Sequence, residues 1–424
     1  MQIVKEDEMA NLSVSLGPLE LKNPMVAASA ITTKTIERAK KAEACGIAAI
    51  IAKAVVTRHP YFALPRFYTD PGKRGLYCPM DPRLEGQEGL DFIKALKKEV
   101  SVPVIANTMG SGNNIDSWVE IASKLADAGA DMIELNLACP NIGLMQKTLG
   151  QLSGDEEEVL GAIVGQNPSL AGRIVRAVKD SIKKPIMAKL TPEAADISAV
   201  AKAVLENGAS VLDVTNAPAA LPGVDVYNDG KPLHKGFNTQ SFSGVCGPYM
   251  KPFTLKNVAQ IKLSNPGAEI LASGGLMNWK DSVEAIMVGA KATAYCTLIM
   301  WKGWEVLRDI EKELREYMEQ QGYSRLQDFY CAGLKYISTP NQVSFRYVAA
   351  QVDAEKCTGC GICVKPGHCE AIELRDEIAY VTKELCVGCD TCADLCPAGA
   401  IAMVEDDERR AEVLRAREIY DRTH

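Results

Sequence analysis

At 424 residues, 47% hydrophobic and 24% charged, the chain is too long for one small domain and has the ordinary balance of a globular protein, which suits a large barrel followed by a small module. A net charge of −7 argues against nucleic acid, which wants a basic face, and no apolar run approaches the ~20 residues of a membrane span. Met1-Gln2-Ile3-Val4-Lys5-Glu6-Asp7-Glu8 lacks the basic start and apolar core of a secretion signal, so the fourteen cysteines are expected as reduced thiols in the cytoplasm.

Residues 11–22 alternate polar and apolar around Gly17-Pro18, the pattern of a hairpin. A βα rhythm follows. Short apolar runs predict strands at Met25–Ala30, Ile47–Val55, Pro103–Met109, Met132–Ala138, Pro185–Thr191, Val211–Asn216, Glu269–Gly275 and Ala292–Thr297, with amphipathic helices between them such as Ile115–Ala128, Ala194–Glu206 and Asp281–Val288. Eight strands, each followed by a helix, predict an α/β fold of the (β/α)8 TIM-barrel type over residues 1–325. The rival, a doubly wound sheet, predicts a G-x-G-x-x-G after the first strand, and none is there. Residues 326–349 carry Pro340-Asn341 and no repeat, and read as a linker. The last segment, 405–424, mixes charges with a weak helical period and reads as an exposed helical tail.

Between linker and tail, residues 350–404 hold eight of the cysteines. The second run, Cys386 to Pro397, has the C-x2-C-x2-C-x3-C-P spacing that ligates [4Fe–4S] clusters in bacterial ferredoxins, where the fourth ligand of each cluster comes from the other run. This predicts an α+β two-cluster ferredoxin-like domain, with Cys357, Cys360, Cys363 and Cys396 on one cluster and Cys386, Cys389, Cys392 and Cys369 on the other. The first run departs from the pattern: five residues separate Cys363 from Cys369, and Glu370 rather than Pro follows, so either the loop bulges and Cys369 still ligates or the second cluster is altered. Two C-x2-C-x2-C triplets overfill four-coordinate zinc sites, and a disulfide framework needs a secreted setting.

Chemistry in a barrel sits at the C-terminal strand ends, and these ends are polar: Lys53, Asn107 to Asn113, Glu134 to Asn141, Lys189 to Thr191, Thr215-Asn216 and Ser273-Gly274-Gly275. Unpaired polar groups in a buried mouth are costly, so their convergence points to a ligand site. The loops after strands seven and eight, with Gly274-Gly275 and Cys296-Thr297, commonly bind phosphate, because glycines let backbone N–H groups approach closely.

The motifs Glu134-Leu-Asn-Leu-Ala-Cys-Pro-Asn141, Ala188-Lys-Leu-Thr-Pro192, Thr215-Asn216, Ser243-Gly-Val-Cys-Gly247 and Ala272-Ser-Gly-Gly275 resemble the dihydroorotate dehydrogenase barrel. The cluster module behind it narrows the resemblance to the dihydropyrimidine dehydrogenases, in their bacterial PreA-type subunit, over nearly the whole chain. The resemblance implies FMN in the barrel mouth. Ala28 and Ser29 would lie along the flavin, Lys53 and Lys189 would contact it, and Gly244, Gly247, Gly274, Gly275, Cys296 and Thr297 would surround its phosphate. It further implies that Asn113, Asn136, Asn141 and Asn216 bind a ring carrying amide groups, each offering donor and acceptor, and that Cys139 transfers the proton. A thiol near its ordinary pKa of ~8.5 is protonated yet able to give up its proton near neutral pH. Cys45, Cys78 and Cys331 read instead as small buried hydrophobes.

The expected activity is reduction of an activated C=C bond in a cyclic amide, uracil or thymine, with electrons passing through the clusters. Without a dinucleotide motif the chain is expected to depend on an NAD(P)H-oxidising flavoprotein subunit or a ferredoxin, in a homo- or hetero-oligomer. Two departures bear on the substrate: Ala217 stands where the family carries a hydroxyl, and the loop from Ile142 to Asn167, with Asp155-Glu156-Glu157-Glu158, is long enough for a lid. Dihydroorotate-type or other enoyl chemistry is the nearest rival, with Arg58 or Lys235 as the cation for a carboxylate; a non-catalytic electron-transfer subunit is the rival of another class.

Overall fold

The hairpin at the start of the chain sets the floor of the first domain. Val14–Leu16 pairs antiparallel with Leu19–Leu21 across Gly17, whose φ of +57° lies in the left-handed region that glycine adopts without cost. A Cβ at Gly17 would lie 2.7 Å from Val211 Cγ2, so the turn presses directly on a barrel strand. Leu16, Leu19 and Leu21 pack against inward-pointing side chains of the strands that follow.

In the computed structural model, which describes residues 10–58, 64, 66–80, 82–139 and 161–423, those strands are β1 (Met25–Ala27), β2 (Ala49–Ile51), β3 (Val104–Thr108), β4 (Met132–Asn136), β5 (Ile186–Leu190), β6 (Val211–Val214), β7 (Ile270–Ser273) and β8 (Ala292–Tyr295). Each pairs in parallel with its successor, and β8 pairs with β1, closing an eight-stranded barrel. The surrounding helices are α1 (Ile36–Ala44), α2 (Gly86–Glu99), α3 (Ile115–Asp127), α4 (Pro168–Ser181), α5 (Ile197–Glu206), α6 (Lys251–Ser264), α7 (Trp279–Met287) and α8 (Val306–Gln321). Alternation along each strand sorts side chains between two cores. Ile133, Leu135, Ile186, Ala188, Leu212 and Val214 face the helices, while Ile51, Ile105, Met132, Met187, Val211 and Leu271 fill the lumen.

Two features depart from the sequence reading. The second strand, expected over Ile47–Val55, ends at Ile51; Val55–Val56 forms a separate short strand beside Thr108 and Leu84–Glu85. A four-stranded antiparallel sheet joins Arg66–Thr69, Leu76–Met80, Ala219–Ala220 and Ser243–Cys246, drawing together the insertions after β2 and β6. Its strands are short, and the pair Arg66–Thr69 and Leu76–Met80 lies far in sequence from Ala219–Ala220 and Ser243–Cys246, so no local periodicity announces the sheet.

The chain divides into two units, residues 1–337 and 338–424. In the second, β9 (Val348–Val352) pairs antiparallel with β12 (Ile401–Glu405), and β10 (Ile372–Arg375) with β11 (Ile378–Val381) through a turn in which Asp376 and Glu377 both take positive φ. The tail forms α9 (Asp407–Thr423). Among the described residues no helix is long and apolar enough to cross a membrane.

The segment expected as a linker, 326–349, is split by this division. Leu326 and Phe329 are buried with Leu12, Ile286, Leu314 and Met318, and Phe329 meets the rings of Tyr317 and Tyr323; Val348 already belongs to β9. Phe329→Ala is expected to destabilise the barrel by about 3–5 kcal/mol, as for a fully buried aromatic. Chemical denaturation measures it, and a loss within about 0.5 kcal/mol would return the residue to an exposed connection.

Candidate active site and clustered cysteines

Lumen side chains change character along the strands. Below, they are apolar; near the C-terminal ends they become Lys53, Asn107, Glu134, Lys189, Asp213 and Ser273, all buried. Strand register explains the grouping, because Glu134 lies opposite Asn107, and Lys189 opposite Asp213, so each pair points inward at the same height. Lys189 Nζ donates to Asp213 Oδ2 and lies 3.9 Å from Glu134 Oε1, while Asn107 Nδ2 donates to Glu134 Oε2. Ser273 Oγ reaches both Asp213 Oδ1 and, at 2.7 Å, the Thr215 carbonyl.

Burial on this scale requires partners. For Lys189, burial alone would lower the pKa, but Asp213 and then Glu134 outweigh it and hold the ammonium charged. Glu134 goes the other way: burial pushes it up to about 8, against the pull of Lys189 and with the help of Asp213. The Lys189–Asp213 pair thus has beside it a carboxyl that burial keeps protonated well above the usual carboxylate range.

Above this layer opens a cleft enclosing about 1150 Å³ with its mouth included. Its wall contains every residue the resemblance assigned to a flavin: Ala28, Ser29, Lys53, Lys189, Gly244, Gly247, Gly274, Gly275, Cys296 and Thr297. Cys139, Asn136 and Asn216 line it too. The antiparallel sheet contributes Phe67, Leu76, Cys78, Gly244, Val245 and Cys246. Cys78 is therefore a wall residue and not the buried filler expected of it; Cys45 is buried and Cys331 half-buried.

Backbone strain gathers at this mouth. Thr215, a β-branched residue, holds φ +84° at the end of β6, a conformation costing on the order of 1–3 kcal/mol. The Ser273 hydroxyl reaching its carbonyl and the Asn257 Nδ2 donor 3.5 Å from its Oγ1 hold it there. The next residue, Asn216, donates from Nδ2 to the Ala138 carbonyl at 2.8 Å, tying the ends of β6 and β4 together. Gly275 combines φ +84° with a Cβ position that the Lys251 backbone nitrogen already fills. The loop it begins is fixed by Asp281, which accepts from Met277 N and from Lys251 Nζ, each at 2.7 Å.

Sequence reasoning missed Arg83. It is buried, lines the cleft, and places Nη2 2.9 Å from Cys139 Sγ. It precedes the short strand Leu84–Glu85, inside an insertion that showed no motif. Arg58 and Lys235 are exposed and do not line the cleft. Asn113 is likewise exposed, in the turn that bridges Ser111 to Asn114, and is not part of the cleft wall, because β3 ends five residues earlier. Asn141 and the expected lid through residue 160 lie outside the described residues. The flanks of that segment meet at its base, where Ala162 N donates to the Cys139 carbonyl at 3.1 Å.

In the second unit the eight cysteines form two groups. Cys357, Cys360, Cys363 and Cys396 surround one small hollow. Burial, reinforced by the Cys360, Cys357 and Cys396 sulfurs, raises Cys363. Burial, then Cys386, Cys369 and Cys389, pushes Cys392 up to about 11, so Cys369 lies within electrostatic reach of the second triplet despite its altered spacing. Backbone N–H groups of Ala379, Ala400 and Ala350 donate to Cys357, Cys396 and Cys386 at 3.3–3.5 Å, and His368 Nε2 lies 3.5 Å from Cys389 Sγ. Among the described residues no three His, Cys, Asp or Glu side chains converge as a single metal ion requires; a cubane holds its ligands farther apart.

The raised pKa of Glu134 carries a stability consequence. Between its ordinary value of 4.5 and about 8 the folded chain binds this proton and the unfolded chain does not, so stability falls as pH rises through that window. Glu134→Gln removes the titration. Its urea midpoint is expected to fall less steeply from pH 5 to 8 than that of the unmodified protein; parallel curves would contradict the assignment.

The family model of dihydroorotate dehydrogenase matches residues 11–318, and that of the 4Fe-4S binding domain matches 379–402. The NAD-dependent dihydropyrimidine dehydrogenase subunit PreA of Escherichia coli K12 is 28% identical over 420 residues, covering 95% of this chain and 97% of that protein. The catalytic subunit of dihydroorotate dehydrogenase B (NAD(+)) from Pyrococcus furiosus is 29% identical over 322 residues, covering 75% and 97%. A putative dihydroorotate dehydrogenase A (fumarate) from Aeropyrum pernix is 30% identical over 318 residues, covering 75% and 95%. The barrel match takes in all eight parallel strands and every described residue of the cleft wall, and the chain belongs to the dihydroorotate dehydrogenase family.

Proposed function

We propose that this chain reduces the C=C bond of a pyrimidine base, uracil or thymine, to the 5,6-dihydro form, with FMN in the barrel and two [4Fe–4S] clusters in the second unit. The observation that carries the reading is the placement of Cys139, Asn136 and Asn216 in one cleft with the ten residues expected around a flavin. The fit to FMN has its own support. Lys53, Arg83 and Lys189 line the cleft, no acidic side chain does so among the described residues, and the Gly274-Gly275 cradle has no room for a side chain at Gly275. Such a wall suits a phosphate dianion and an electron-rich ring. When bound, FMN supplies the hydride and converts single electrons into pairs.

The chain's own residues do the rest. Asn136 and Asn216 offer amide donors and acceptors to the ring's C=O and N–H edges. Reduction of a C=C bond conjugated to a carbonyl needs a hydride at one carbon and a proton at its neighbour. Cys139 Sγ provides that proton, and the Arg83 guanidinium beside it stabilises the charge left on sulfur. The two cysteine quartets bring electrons from a partner, a flavoprotein subunit that oxidises NAD(P)H or a ferredoxin, because the chain has no dinucleotide motif of its own. One observation favours a second reading with the same machinery: Arg83 would also pair with the carboxylate of an orotate-like ring.

The test is an anaerobic screen with a chemical reductant, following reoxidation of the reduced flavin on addition of uracil, thymine or orotate. Reoxidation by uracil or thymine supports the main reading, and reoxidation by orotate alone transfers it to the second. Cys139→Ala is expected to keep flavin and iron and lose at least about 10²-fold in turnover; unchanged turnover removes the proton-donor role. Cys369→Ser is expected to lose about half the iron, by loss of one of two clusters. Full iron retention would exclude Cys369 from the ligand set.

A further inference from the structure

Lys189 does not reach the cleft as a lone cation. Its side chain is almost wholly enclosed, and directly behind it lies Asp213, with no exposure at all, bonded to Nζ. Asp213 is itself held from the far side by the Ser273 hydroxyl. Glu134 stands at 3.9 Å on the third side, and its other oxygen takes the Asn107 amide. Side chains on β3, β4, β5, β6 and β7 thus build one closed polar layer under the cleft floor. Nothing in cofactor binding requires a carboxylate there, and burying it is costly.

We propose that Asp213 is the counter-ion that sets the charge Lys189 presents to the bound flavin, and so holds the flavin's reduction potential below the value an uncompensated lysine would give. This deepens the reading above and rests on FMN lying against Lys189. The physical reason is direct. A lysine beside the ring favours the reduced, electron-rich form. A carboxylate bonded to that lysine at ion-pair distance in a low-dielectric layer cancels most of its field a few ångströms away. Glu134, whose carboxyl burial holds well above the usual carboxylate range, contributes hydrogen bonding and less charge. A flavin poised low in this way matches electrons delivered through iron–sulfur centres, which themselves extend to low potentials.

Asp213 is a positioning residue, so the test reads a potential and not only a rate. The full chain, reconstituted with FMN and iron, is titrated anaerobically at pH 7 with redox dyes while the flavin absorbance is followed. Asp213→Asn keeps the shape and removes the charge. It is expected to raise the flavin potential by at least about 30 mV, the equivalent of a tenfold change in a two-electron equilibrium. Glu134→Gln, equally isosteric and in the same layer, is expected to leave it within half that amount. An unchanged potential in Asp213→Asn overturns the proposal, and so does an equal rise in both variants, which is what packing damage alone would give. Should Asp213→Asn lose its flavin, Asp213→Thr removes the charge with a smaller side chain and carries the same expectation. If the unmodified chain takes up no FMN under any condition, the FMN reading itself falls, and this inference with it; a wild-type chain with a clean flavin titration separates the two outcomes.

Discussion

The first unit depends on burying opposite charges inside a closed barrel. Lys189, Asp213 and Glu134 sit where strand register points them inward, above a lumen floor of aliphatic side chains sealed by the Val14–Leu21 hairpin. Isolated, an ionised group there would cost several kcal/mol; Lys189, Asp213, Ser273 and the Asn107 amide pair with one another and with Glu134, while Asn107 Oδ1 and Glu134 Oε1 carry no hydrogen bond. The arrangement lets the chain present an ammonium to the cleft while keeping its carboxylates below it, out of contact with an anionic ligand. Polar residues at strand ends are thus one connected layer and not a scatter of ligand contacts.

That layer also explains where strain is tolerated. Thr215 holds a left-handed backbone beside this layer, and the same Ser273 hydroxyl that reaches Asp213 reaches its carbonyl. Fixing Thr215 aims Asn216 across to the end of β4, next to Cys139. The mouth of this oxidoreductase is therefore rigid where Asn216, Thr215 and Gly275 meet, on the β4, β6 and β7 side.

Much of this was legible in the sequence, and the limits have physical causes. The (βα) rhythm is written in local periodicity, and the C-x2-C-x2-C spacings are local too, so barrel and cluster module could be read directly. The cleft-wall residues came from the family resemblance, carried by motifs most of which lie at strand ends. What could not be read depends on contacts between distant segments. The antiparallel sheet of Arg66–Thr69, Leu76–Met80, Ala219–Ala220 and Ser243–Cys246 is one case, and Arg83 in the same insertion is another. Asp213 was hidden differently: inside an apolar run, Val211–Val214, a single acid looks like an interruption until register sets it opposite Lys189. Phe329 was misplaced because the irregular turns around it have no period, although its ring is buried.

The two units meet the same electrostatic problem with opposite signs. The barrel gathers cations around a cleft and hides their counter-ions beneath it, leaving a surface suited to an anion. The second unit gathers thiols. Burial, and after it the neighbouring Cys386, Cys369 and Cys389 sulfurs, already push Cys392 up to about 11. The 4Fe-4S binding domain matched over residues 379–402 takes thiolates as ligands, so filling it must release protons. Backbone donors to Cys357, Cys396 and Cys386 are placed where negative sulfur would need them. In each unit the side chains alone are electrostatically incomplete, and the ligand that completes them is opposite in charge: a phosphate-bearing ring in one, an iron–sulfur core in the other.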